Sequence, residues 1–74
     1  MTEEEVPGVG EAVHDKGQGR SGRVTGRVGP YLRVSPFGGG RAWDADPELI
    51  RRLTQDELLR ELVAEANARS RQAT

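Results

Sequence analysis

All ten glycines fall between residues 8 and 40, and none follows. Glycine weakens helix and strand interiors and favours tight turns. This half of the chain therefore cannot hold a long helix. It can hold short runs joined by turns. The run Tyr31-Leu32-Arg33-Val34-Ser35 alternates cleanly, with Leu32 and Val34 on one face and Arg33 and Ser35 on the other. Residues 9–14, 23–28 and 41–43 are weaker strand candidates. Gly29-Pro30 signals a tight turn, and Pro36-Phe37-Gly38-Gly39-Gly40 a hairpin loop. Residues 15–22 form a polar, glycine-containing loop between strands.

The period changes after Trp43. Asp46-Pro47-Glu48 has the order of an N-cap, a first-turn proline and a first-turn acid. One short helical turn followed by a last strand is the preferred reading of residues 48–53. Thr54-Gln55-Asp56-Glu57 is a capping box, with Leu53 and Leu58 placed for a hydrophobic staple. A helix follows to about Ser70, with Leu58, Leu59, Leu62, Val63 and Ala66 in one apolar stripe.

These elements predict a mainly β chain with one C-terminal helix. The sheet is a small barrel or a strongly bent antiparallel sheet of four or five strands. Val13, Val24, Val28, Leu32, Val34 and Trp43 are its expected filling. Residues 1–8 read as a disordered acidic tail, 9–53 as the small barrel, 54–70 as the helix packed on it, and 71–74 as a frayed end. The stripe has two uses, packing on the sheet or docking a partner, and packing is the plainer one.

Seventy-four residues allow one domain. The absence of cysteine excludes disulfides, thiolate metal sites and a cysteine nucleophile. No apolar run approaches the ~18 residues of a membrane span. The start Met-Thr-Glu-Glu-Glu lacks the basic and apolar segments of a signal peptide. Cytoplasmic residence without a membrane is the expectation.

Charge is unevenly distributed. Glu3, Glu4, Glu5 and Glu11 make the start acidic, whereas Lys16, Arg20, Arg23, Arg27, Arg33 and Arg41 face only Asp15 across residues 14–43. Tyr31, Phe37 and Trp43 interleave with these cations. An Arg-rich sheet face with aromatics is what phosphate contact and base stacking require. The candidate face comprises Arg20, Arg23, Arg27, Arg33, Arg41, Tyr31 and Trp43. Its plainer reading is a solvated outer surface, a protein-facing patch comes next, and the sequence pI of 5.8 weighs against nucleic acid.

Other motifs carry less. Gly17-Gln18-Gly19-Arg20-Ser21-Gly22 fits G-x-G-x-x-G, yet a strand follows it where a dinucleotide site needs a helix. His14 is the single histidine, beside Asp15, with no partner nucleophile identifiable. Asp44, Asp46 and Glu48 are spaced like ligands of a hard cation, but Asp46 is better explained as a cap. No catalytic residue, metal or cofactor is expected.

The pieces Gly29-Pro30-Tyr31 and Trp43-Asp44-Ala45-Asp46-Pro47 belong to a longer pattern. It includes Gly10, Val13 and Asp15 before them and Ala66, Asn67, Arg69 and Ser70 after them. Over about residues 9–71 the chain resembles a set of short uncharacterised actinomycete proteins. In that set the residue before the Trp is often acidic, whereas here it is Ala42. The resemblance brings no activity with it. Gly22-Arg23-Val24-Thr25-Gly26 also resembles the strands of small SH3-like or KOW-type barrels.

The resulting expectation is a non-enzymatic small binding module, regulatory or adaptor in role, that engages another protein. Leu59, Leu62 and Val63 are the candidate partner face on the helix. The alternative is a weak nucleic-acid binder using the Arg face. A monomer or weak homodimer is expected.

Overall fold

The computed structural model describes residues 6–72, with side chains through residue 68. Five strands form one antiparallel sheet: β1 (Ala12–Asp15), β2 (Arg20–Val28), β3 (Tyr31–Pro36), β4 (Trp43–Ala45) and β5 (Ile50–Arg52). Their spatial order is β4-β3-β2-β1-β5. A 3-10 turn, Pro47–Leu49, precedes β5, and one helix, α1 (Gln55–Gln72), ends the chain. The sheet is not closed into a barrel. It is the open, strongly bent form of the expected fold.

Local chemistry explains the joints. Asp46 accepts from the Glu48 amide at 2.9 Å and caps the 3-10 turn, with Pro47 in its first position. The β2–β3 hairpin turns on Gly29-Pro30, and Gly29 has φ of +58°, the sign a type II′ turn needs at its first central position. The capping box forms reciprocally. Thr54 Oγ1 accepts from the Glu57 amide at 3.2 Å, and Glu57 Oε1 accepts from the Thr54 amide at 2.9 Å.

The core lies on the concave face and comprises Val13, Val24, Leu32, Val34, Ala45 and Ile50, with Val6 and Trp43 packed against it. Val28, expected inside, is 39% exposed. A register shift between Val24 and Gly26 is the cause. One extra residue in a strand reverses which side chains face inward. After the shift Arg27 pairs with buried Leu32, and Val28 pairs with exposed Tyr31.

Several boundaries differ from expectation. Val6 packs on the core and Pro7 is buried, so the ordered chain includes residues assigned to the acidic tail. Residues 1–5 of that tail lie outside the described residues. Strand β4 begins at Trp43, where residues 41–43 were expected as strand. The helix continues to Gln72, through half of the expected frayed end; residues 73–74 lie outside the described residues.

The largest correction concerns α1. Its apolar stripe was expected to pack on the sheet, yet none of the helix's described residues is buried through Ala68. Glu57, Leu58, Glu61 and Glu65 are half-buried, whereas Leu59, Leu62 and Val63 are 57%, 38% and 58% exposed. The concave face already holds its six core side chains. The convex face, which carries His14, Ser21 and Arg51, offers polar partners that suit carboxylates better than leucines.

Gly22 tests the packing. It pairs with Val13 and Pro36, and a Cβ there would overlap the Ser35 carbonyl and a Val34 methyl. Gly26 in the same strand has open space around it and no positive φ. Gly22→Ala should cost about 1–3 kcal/mol in urea unfolding, whereas Gly26→Ala should be neutral within about 0.5 kcal/mol.

Candidate functional site

Asp15 organises the concave side. It ends β1, is 2% exposed, and accepts three hydrogen bonds. Oδ1 takes the Gly17 amide at 2.8 Å and the Gln18 amide at 3.2 Å. Oδ2 takes the Trp43 indole N–H at 2.8 Å. The Arg20 guanidinium stacks over the Trp43 ring, 4.3 Å from its centroid. Sequence reading paired Asp15 only with His14. The signal it missed is Asp15-Lys16-Gly17-Gln18-Gly19, an Asp two residues before a glycine, the composition of an Asx turn.

Register decides what becomes of the expected Arg face. Residues directly opposite in an antiparallel pair project to the same side. Arg20 opposes Asp15, and Arg27 opposes Leu32, so both lie on the concave side. Arg23 opposes Ala12 and Ser35, and Arg33 opposes Asp44, on the convex side with Tyr31. Arg41 is exposed in the loop before β4. The seven candidate residues are therefore split between two faces and a loop. Trp43 and Arg20 are brought together; Tyr31 is 47% exposed on the opposite side.

Several of these cations are engaged. Arg33 Nε lies 3.1 Å from Asp44 Oδ1. Arg23 donates to the Gly10 carbonyl at 3.1 Å and stacks over Phe37 at 5.6 Å. Arg27 lines a cleft of about 330 Å³ with Val6, Pro7, Val24 and Leu32, which is mostly apolar.

The register also gives His14 a neighbour. His14 opposes Ser21, and His14 Nδ1 and Ser21 Oγ share a hydrogen bond at 2.8 Å. A working nucleophile–base pair needs a third group to orient the imidazole. Among the described residues no hydrogen bond reaches the other imidazole nitrogen. Among the described residues no cluster of three or more His, Cys, Asp or Glu could hold a metal ion. Gly17 and Gly19 lie in the β1–β2 turn and Gly22 within β2, so the G-x-G-x-x-G run opens no helix.

The second candidate surface is α1. Its sheet-facing side is held at two points, Glu57 and Glu65. Arg51 grips Glu57 with two bonds of 2.8 and 2.7 Å, and Glu65 accepts from the Gly38 amide at 3.2 Å. Its outward side carries Leu59, Leu62 and Val63. A shallow cleft of about 360 Å³ runs there along Leu59, Arg60, Val63, Ala64 and Asn67. Arg60, Ala64 and Asn67 extend the predicted stripe at helical spacing. Among the described residues no helix is long and apolar enough to cross a membrane.

Comparison with protein-family models, with curated proteins and with solved structures returns no match.

The Arg51–Glu57 fork sets a pH dependence. The Arg51 guanidinium, assisted by the Thr54 amide, lowers the Glu57 carboxyl to about 2. A carboxyl lowered on folding contributes stability above its unfolded range, and that contribution is lost as pH falls through about 2. A carbon-detected NMR titration should place the Glu57 midpoint near 2. In Arg51→Ala the midpoint should rise toward the ordinary carboxylate range.

Proposed function

We propose that this protein is a non-enzymatic binding module of SH3-like character, regulatory or adaptor in role. It engages another protein through the outward stripe of α1. One observation carries the reading: Leu59 and Val63 are 57% and 58% exposed on a helix whose half-buried side is mostly carboxylate. An amphipathic helix normally turns its apolar stripe inward. Its reversal leaves several large apolar side chains together at the surface, the composition of a helix-docking face. The curled five-stranded sheet, with its 3-10 turn before the last strand, supports the SH3-like description.

The alternative, a weak nucleic-acid binder, has less support. Five arginines divided between two faces and a loop do not make one phosphate-tracking groove. A titration with short single- and double-stranded oligonucleotides, read by Trp43 fluorescence, should show no salt-sensitive binding between roughly 50 and 200 mM.

The stripe is tested directly by Leu59→Asp and Val63→Asp. Both residues are exposed, so each variant should unfold within about 0.5 kcal/mol of the wild type. Loss of the fold would show that the stripe is core. A photo-reactive residue at position 63 should give a discrete protein adduct in cells, and one at exposed Thr25 should not. Absence of any adduct at position 63 would overturn the reading.

A further inference from the structure

The stripe of α1 has a pattern that fits itself. Its outward residues include Leu59, Val63, Ala66 and Asn67, all exposed. We infer that it is covered by the same stripe of a second copy, running antiparallel about a two-fold axis at Val63. This rests on reading the stripe as a protein-binding face, and it names the partner of that face.

Three features favour a second copy in this direction. The first is size. With a rise of about 1.5 Å per residue, an axis at Val63 sets Leu59 of one copy level with Asn67 of the other, beside Ala66. Large side chains then oppose smaller ones, which allows close approach. A parallel pair would set Leu59 against Leu59 and leave the Ala66 level underfilled.

The second feature is charge. The first turn is acidic, with Asp56 and Glu57, and the last carries Arg69 and Arg71 in the sequence. The antiparallel arrangement places Asp56 at the level of Ser70, between the positions of Arg69 and Arg71. The helix dipoles also oppose one another. A parallel arrangement would place acid beside acid and base beside base.

The third feature is closure. A two-fold contact uses the same patch on both copies, so the contact closes on itself. The extent of the patch sets its strength. From Asp56 to Ala68 the stripe spans about 18 Å of helix. A contact of that length falls short of the ~1,200 Å² typical of stable complexes. The dimer is therefore weak and concentration-dependent.

Sedimentation equilibrium of the full chain from roughly 10 µM to 1 mM, a range suited to a weak dimer, should show the mass rising from 8.1 kDa toward twice that value. Val63→Asp should stay at the monomer mass across the range, with Trp43 emission and helical circular dichroism unchanged. Mixing it with Val63→Lys should restore the larger species. The chain has no cysteine, so single-cysteine variants report geometry cleanly. Val63→Cys should oxidise to a covalent dimer. Leu59→Cys should do so at least about tenfold more slowly, because its two copies lie about 12 Å apart along the axis, too far for a disulfide. A chain that stays monomeric at the highest concentration overturns the inference, as does a dimer indifferent to Val63→Asp. Leu59→Cys oxidising as fast as Val63→Cys overturns the antiparallel arrangement. If the chain is monomeric and position 63 captures a different protein, the protein-binding reading survives alone. If it captures nothing, both fail.

Discussion

The fold depends on one buried carboxylate. Asp15 sits on β1, and Trp43 sits on β4, three strands away in the sheet order. In a flat sheet these strands would be about 14 Å apart, three spacings of about 4.8 Å. The 2.8 Å bond from the Trp43 indole to Asp15 therefore requires the sheet to curl over its concave side. The same carboxylate fixes the β1–β2 turn through Gly17 and Gln18. Beside it, the Lys16 amide bonds the Leu49 carbonyl just before β5. One side chain thus ties together the turn at one end of the sheet and an edge strand from the other. A buried carboxylate is costly unless its oxygens are satisfied. Here three donors satisfy it, two from the backbone and one from an indole.

That curl determines the fate of the helix. Once Trp43 closes over Val13, Val34 and their neighbours, the concave side needs no helical lid. The helix is instead anchored along the polar convex side by Arg51–Glu57 and by the Gly38 amide on Glu65. Its carboxylates, with Leu58, become the inner face, and Leu59, Leu62 and Val63 the outer one. Exposed ion pairs are weak fasteners, so the capping box and the short connection from β5 contribute much of its placement. The proposed function follows from this inversion.

Much of the architecture was legible in the sequence because its signals are local. The alternation around Leu32 and Val34, the Gly29-Pro30 turn, the Asp46-Pro47 start and the Thr54–Glu57 box each depend on neighbouring residues, and each formed. What escaped depends on pairing between distant segments. The register shift beyond Val24 reverses Arg27 and Val28; its one local sign is Gly26 inside the strand, which signals a bulge without fixing the phase that follows. It also divides the expected Arg face, since five arginines near strands imply one surface only if every strand keeps its phase. The helix stripe was recognised, but its direction was not. Periodicity identifies an apolar face and says nothing about which neighbour, if any, receives it.

The most direct test of this account is hydrogen exchange at the Trp43 indole. The chain has one tryptophan, so the proton gives a single assignable resonance. If Asp15 clasps β4 against β1, that proton should exchange only with opening of the sheet, as slowly as the amides of Val13 and Val34. Asp15→Asn should speed its exchange and weaken the fold by about 1–3 kcal/mol, because fewer acceptors remain for the same donors. Rapid exchange of the wild-type indole, at the rate of an exposed side chain, would contradict the clasp and the curled sheet with it.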